Sequence, residues 1–267
     1  MRAAETHPVD AAEPLLTPAA RRAPGTPAFR WSIAPAVTAW LLLAWLSGHD
    51  RALSICVVPR ITLLDGAMAS VAAGFAALDA PRWVGEWALM IAAMMLPLLV
   101  PMIGHVAYRS FVPRRDRAVG LFVGGYVLTW LAVGVVACVV LIVVRGALAS
   151  LGLAPAFGLI GCTAAALWQL SPAKRRAVNR CHGTVALRPF GAAADADALQ
   201  FGFLHGGRCV RACLPTMALP LLGGHSLAAM ATIFAILLAE RARPTPQYGL
   251  SAIALLLLGL ISTMAGR

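Results

Sequence analysis

The chain is 267 residues long, 60% hydrophobic and only 12% charged, with a mean hydropathy of +0.79. Ordinary soluble domains carry about 25% charged residues, so the soluble-enzyme class is excluded and a membrane protein is the default. The net charge of +11 is scattered between long apolar runs and forms no single stripe, which excludes nucleic acid as a partner and points to loop charges facing a lipid bilayer.

Residues 1–30, rich in Ala, Pro and Arg, lack the periodicity and hydrophobicity to build a core and are expected to form a disordered cytoplasmic tail. Arg21 and Arg22 precede an apolar run that no small-residue cleavage site closes, so they read as an anchor beside a first span and not as an export signal. About 20 apolar residues are needed to cross a hydrocarbon core, and such runs lie near 31–47, 83–106, 118–144, 154–170, 199–222, 224–240 and 248–265. The expected fold over 31–267 is all-α: a polytopic transmembrane helix bundle of about seven helices, multi-pass in the bacterial inner (plasma) membrane. Trp31, Trp83, Trp87 and Trp168 stand near the ends of these runs, where amphipathic rings meet headgroups.

Lys and Arg alternate between successive connecting segments: one alternate set carries 15 of them and the other 5. The positive-inside rule then predicts N-terminus in and C-terminus out. The stretch 61–78, broken by Asp65, Gly66 and Gly74, is expected to lie on the interface, because an eighth crossing would erase that bias.

The second span reads WVGEWALMIAAMMLPLLVPMIGH. At 100° per residue, Glu86, Met90, Met94, Pro97, Pro101 and His105 fall within about 100° of arc. Thioethers are soft ligands that suit Cu(I), so this face could line a metal path. Methionine is also a good filler of helix interfaces, and Glu86 suits the first turn of a helix.

The fifth span places His205, Cys209, Cys213 and Met217 at successive i, i+4 steps, a ladder of ligand-capable side chains on one helix face. Arg208 and Arg211 fall within the same turns, and a guanidinium beside a thiol favours the thiolate that binds metal. By helix rise alone, the cysteines and Met94 lie at similar depths, roughly 15–21 Å from the ends of their spans. A shared Met and Cys site in the bilayer is therefore expected. The bland alternative has the cysteines acting as small hydrophobes and the glycines as close-packing points.

Between the fourth and fifth spans, SPAKRRAVNRCHG reads first as an inside-facing anchor for anionic lipid. Adjacent Cys181 and His182 could also receive a soft metal at the cytoplasmic mouth.

Taken together, Trp87, Met94, Met95 and Pro97, then Gly125, Tyr126 and Trp130, then Gln169, Leu170, Pro172 and Lys174, and finally His205, Gly206, Cys209, Cys213 and Met217 resemble a bacterial family of integral membrane proteins. That family is described as metal-binding and labelled copper-chaperone-like. The resemblance covers roughly residues 83–240. The family pattern has a second cysteine in the basic loop and a Cys-x-x-Cys-Cys-Trp run in the fifth span; here Ala177, Ala212 and Leu214 stand at those places.

The expected function is handling of Cu(I) without catalysis, with copper as the bound species and Cys209, Cys213, His205, Met94, Met90, Met217, Cys181 and His182 as candidate ligands. A metal-delivery partner or other membrane subunits would complete such a role. The alternative is a structural or assembly subunit of a larger membrane complex, packing through Gly124, Gly125, Gly134, Gly202, Gly206 and Gly207. A membrane oxidoreductase subunit ranks below both, since no P-loop, nucleophile elbow or HExxH pattern is present. A haem held by His105 and His205 would leave no motif at all.

Overall fold

The computed structural model describes residues 26–48, 67–153, 156–223, 227–243 and 246–265, and these are helical throughout apart from short connections. Most of the expected tail lies outside the described residues; its last part does not behave as a tail, because a π-helical turn begins at Phe29 (Phe29–Ile33) and leads into α1 (Ala34–Gly48). The stretch expected on the interface includes α2 (Ala67–Ala76), which packs along the long helix described below; residues 61–66 lie outside the described residues.

The second apolar run is not one regular helix. It comprises α3 (Ala80–Met90), a π-helical turn (Ile91–Met95), a 3-10 turn (Leu96–Leu99) and α4 (Val100–Tyr108). Asp79 caps α3 by accepting from the Arg82 backbone N–H at 3.2 Å. The break has an identifiable cause: Pro97 has no N–H for the carbonyl four residues back and Pro101 repeats the defect. The carbonyl of Ala93, freed by Pro97, accepts the Trp40 indole N–H at 3.0 Å, and the Leu96 carbonyl in the 3-10 turn accepts the Ser32 hydroxyl at 2.6 Å. Thus α1 and the π-helical turn before it are fastened to backbone carbonyls of the kink, in accord with the cost of orphaning a buried carbonyl.

A 3-10 turn (Val112–Arg114) leads into α5 (Arg115–Ser150), 36 residues long. There follow α6 (Phe157–Leu170), α7 (Pro172–Cys181), α8 (Gly191–Met217), α9 (Leu219–Gly223), α10 (Leu227–Ala242) and α11 (Tyr248–Ala265). The largest helix contact joins α5 and α8, which run parallel: Arg114 pairs with Asp195, Gly202 lies on Phe122, Gly206 on Thr129, and Tyr126 reaches Cys209. Glycine permits this approach, since a Cβ at Gly202 would come 2.2 Å from the Phe122 carbonyl oxygen and one at Gly125 2.6 Å from that of Leu199. On the other side of α5, Trp87 donates to the Trp130 carbonyl at 2.8 Å and fills the space beside Gly134.

Three of these helical stretches are long and apolar enough to cross a membrane: Phe29–Leu46, Ala80–Tyr108 and Val112–Ser150, with Phe157–Leu170 and Tyr248–Ile261 as shorter apolar helices. The expected fifth span falls largely in α8, which begins earlier, at Gly191, and carries Asp195 and Asp197 ahead of that span and Arg208 and Arg211 within it; the sixth run forms the 16-residue α10. The exposed surface supplies the apolar belt a bilayer requires, formed on α5 by Leu128, Val135, Val136, Val139, Val140, Val143 and Val144 and on α11 by Leu250, Ile253, Leu257, Leu260 and Ile261. At 1.5 Å per residue α5 is about 54 Å long, well beyond a hydrocarbon core of about 30 Å. Between Ala118 and Val127 its surface is covered by other helices, and the belt begins only at Leu128.

The basic segments come together at one end of the bundle. Arg30 pairs with Asp116, Arg115 reaches the Ala107 carbonyl, His105 the Val185 carbonyl, and Arg114 the Pro189 carbonyl.

Candidate metal centre

At the basic end, α7, α8 and α10 converge. Ser171 caps α7 by accepting from the Lys174 backbone N–H at 3.1 Å, and Pro172 fits the first helical turn, where its missing N–H costs nothing. The helix turns Lys174, Ala177, Val178 and Cys181 inward and leaves Arg175, Arg176 and Arg180 exposed. The basic segment is therefore not simply an anchor. Lys174 is fully buried, paired with Glu240 of α10 at 2.7 Å, and donates to the Ala212 carbonyl of α8 at 2.9 Å. Gln169 at the end of α6 donates to the same Glu240 carboxylate at 2.6 Å, and the Trp168 indole approaches Ala212 O at 3.5 Å. Ala212 O thus serves two donors from outside α8.

The thiols of Cys209 and Cys213 point the same way from consecutive turns of α8, with Sγ–Sγ 4.0 Å. Both are buried. Arg241, next to Glu240 on α10, places a terminal nitrogen 3.0 Å from Cys209 Sγ and 3.9 Å from Cys213 Sγ. Tyr126 of α5 donates its hydroxyl to Cys209 Sγ at 3.2 Å. The sequence pointed to Arg208 and Arg211 as the charges at the thiols. The structure gives that place to Arg241, while Arg208 reaches the Gly183 carbonyl at 2.8 Å and Arg211 is exposed. Helix geometry explains the difference: Arg208 and Arg211 flank the cysteines in sequence but lie off the face on which i and i+4 meet.

Cys181 is buried near the pair, close enough to feel the charges of Arg241 and Cys213; burial pushes its thiol up to about 11. His182 is exposed, so these neighbours face opposite ways and do not form one chelate. His182 instead lines a surface groove of about 400 Å³ together with Asn179, Glu240 and Arg241. Arg241 thus borders the groove and touches the thiols.

His205, one turn before Cys209, lies among the rings of Phe122, Tyr126 and Phe201, and neither of its ring nitrogens has a hydrogen-bond partner. Met217, one turn beyond Cys213, is fully buried. Met90 and Met94 are also fully buried, but the turn carrying Met94 packs chiefly on α1, α3 and the following 3-10 turn, whereas α8 packs chiefly on α5 and α7. The two sets of candidate ligands therefore have different neighbours. Nor do Glu86, Met94 and Pro101 share a face: Glu86 pairs with Arg82 at 2.9 Å, Met94 is buried and Pro101 is exposed, because the π and 3-10 turns break the 100° step. Among the described residues no three His, Cys, Asp or Glu side chains are grouped so as to hold a metal ion.

The donor set present is a dithiol with a fixed cation. For a metal–sulfur distance of about 2.3 Å, two thiolates lie about 3.8 Å apart in a tetrahedral arrangement and about 4.6 Å apart in a linear one. The observed 4.0 Å lies between these limits, so the pair fits one soft ion without movement of the backbone.

Reasoning from sequence missed Arg241, Tyr126, Lys174 and Glu240 as members of this centre. A signal existed for part of it: Tyr126, Gln169 and Lys174 are among the residues that carry the family resemblance, and all three stand in or beside the centre. Arg241 gave none, since it follows an apolar run as an ordinary loop charge would. No curated protein and no solved structure matches the chain. A family model described as "PpoB2: Copper chaperone" matches residues 84–263, beginning at the expected point and reaching further towards the C-terminus. That match takes in the kink, the dithiol, the buried ion pair and Arg241, and the chain belongs to this copper chaperone family.

Proposed function

We propose that the chain is a multi-pass protein of the bacterial inner membrane, with N-terminus in and C-terminus out, that binds Cu(I) as cargo through Cys209 and Cys213 and passes it to a partner without catalysis. The observation that carries this reading is the buried dithiol at 4.0 Å with the Arg241 guanidinium on Cys209. Two thiolates holding Cu(I) carry a net charge of minus one, and burying an unpaired charge is costly. Arg241 supplies the balancing cation, and its hydrogen bond to sulfur favours the thiolate. Soft sulfur donors select Cu(I) over the commoner hard cations.

The groove bearing His182 gives cargo a route, since Arg241 is among its lining residues and also contacts the thiols. Cys181 is placed to take over one coordination position during exchange, its burial keeping it protonated until cargo arrives. His205, with both ring nitrogens unpaired, is the nearest further donor along α8.

The alternative reading, a subunit that packs through its glycines, is weakened by where those glycines are. Gly125, Gly202 and Gly206 serve the internal α5–α8 contact and Gly134 accommodates Trp87, leaving Gly124 and Gly207 open. Purified protein loaded with Cu(I) under reducing conditions tests the proposal: the Cys209→Ser/Cys213→Ser variant should lose most bound copper by elemental analysis. Unchanged stoichiometry would sink it.

A further inference from the structure

A second cavity lies between α7 and α8. It has a volume of about 410 Å³ and is lined by Arg176 and Arg180 of α7, Arg208 and Arg211 of α8, and Trp168 at the end of α6. No carboxylate is among its lining residues. Four other arginines at this end of the bundle are paired with carboxylates: Arg30 with Asp116, Arg114 and Arg117 with Asp195, Arg188 with Asp197. Among the described residues, none of the four cavity arginines has such a partner. Arg208 is held in place by the Gly183 carbonyl, which fixes the guanidinium without neutralising it. Four like charges around one cavity repel one another, and arginine is the side chain best shaped to grip phosphate oxygens in pairs.

The level of the cavity identifies the source of the anion. Gly206 stands beside Thr129, next to Leu128, where the exposed apolar belt of α5 begins. Arg208 and Arg211 therefore have their backbones about 3–8 Å inside the edge of the belt along α8, and helical side chains lean towards the N-terminus, here the basic end, which carries the guanidinium groups back towards the edge. Trp168 marks the same boundary. On either side of it in the chain, Leu167 and Leu170 are 65% and 51% exposed, an apolar flank of α6.

We infer that this cavity is a binding site for the phosphate headgroup of an anionic phospholipid, with the acyl chains lying along Leu167 and Leu170. This goes beyond copper handling and does not depend on it, because no thiol lines the cavity. The site holds one headgroup in a fixed place, which distinguishes it from diffuse attraction of basic loops to a charged surface.

The test uses the full chain in neutral phosphatidylcholine nanodiscs containing a minor fraction of phosphatidylglycerol, with retained lipid counted by native mass spectrometry. The wild type should retain one phosphatidylglycerol, the Arg176→Gln/Arg211→Gln variant should retain it at least tenfold more weakly, and Arg243→Gln, which removes a charge outside the cavity, should match the wild type. If the glutamine variant does not fold, Arg176→Lys/Arg211→Lys keeps the charge and should still lose retention through lost paired hydrogen bonds. Equal retention by wild type and folded cavity variants would overturn the inference, as would equal losses in Arg243→Gln. Displacement of the lipid by millimolar inorganic phosphate would overturn the lipid assignment in favour of a soluble anion.

Discussion

The methionine-bearing kink between α3 and α4 and the cysteine-bearing centre between α7, α8 and α10 look alike as lists of soft side chains, yet the structure gives them opposite surroundings. At the kink the polar groups come from the backbone and are met by neutral donors: Trp40 serves Ala93 and Ser32 serves Leu96. At the cysteines the polar groups are charged side chains, with Arg241 on the thiols and Lys174 paired to Glu240 one layer away. A thioether in an apolar, hydrogen-bonded kink is packing material. A dithiol against a guanidinium is prepared for the negative charge that a bound soft cation leaves on sulfur. The difference lies in what surrounds the sulfur, not in the sulfur itself.

The widest way to break this comparison is copper stoichiometry. Met90→Leu/Met94→Leu should leave bound Cu(I) unchanged by elemental analysis while Cys209→Ser/Cys213→Ser loses most of it; equal losses would make the kink part of the site. Next in size is the ion pair. Glu240→Ala leaves Lys174 buried without its partner, and removing one member of a buried pair costs about 3–5 kcal/mol. Thermal unfolding in detergent should show that loss, and Lys174→Met/Glu240→Leu should recover much of it.

The kink should respond more mildly. Trp40→Phe leaves the Ala93 carbonyl without its donor, a cost of about 1–3 kcal/mol, read in the same unfolding assay with copper binding intact. The smallest effect belongs to the exposed pair at the start of α8. The Arg188 side chain and backbone hydrogen bonds hold Asp197 below the ordinary carboxylate range, at about 2. Its contribution is present above the unfolded carboxylate value and is lost as pH falls through about 2. Asp197→Asn should therefore lower stability slightly at neutral pH and flatten the acid limb of the stability profile, and a change at neutral pH exceeding that of Trp40→Phe would contradict the ranking.

Helix content, the approximate limits of the apolar runs, the segregation of basic segments and the i, i+4 dithiol were all legible in the sequence. Each follows from local chemistry: the width of a hydrocarbon core, the cost of charge in lipid, and the 100° step between residues. Less was legible where a regular period fails. Pro97 and Pro101 announced a bend, but a period of 3.6 could not foresee a π turn followed by a 3-10 turn, so the face drawn through Glu86, Met94 and Pro101 does not exist.

What the sequence by itself determined is a basic, helical, membrane-suited chain with two thiols on one helix face. Only the tertiary structure decided which cation meets those thiols. Arg208 and Arg211 are sequence neighbours that the helix turns away, whereas Arg241 is 32 residues from Cys209 and 3.0 Å from its sulfur. Likewise Lys174, read as one charge in a basic run, is buried because α7 folds against α8 and Glu240 is waiting there. Periodicity reports which side of a helix a residue occupies; what stands opposite it is set by the packing of helices distant in the chain, and there the chemistry of this centre was decided.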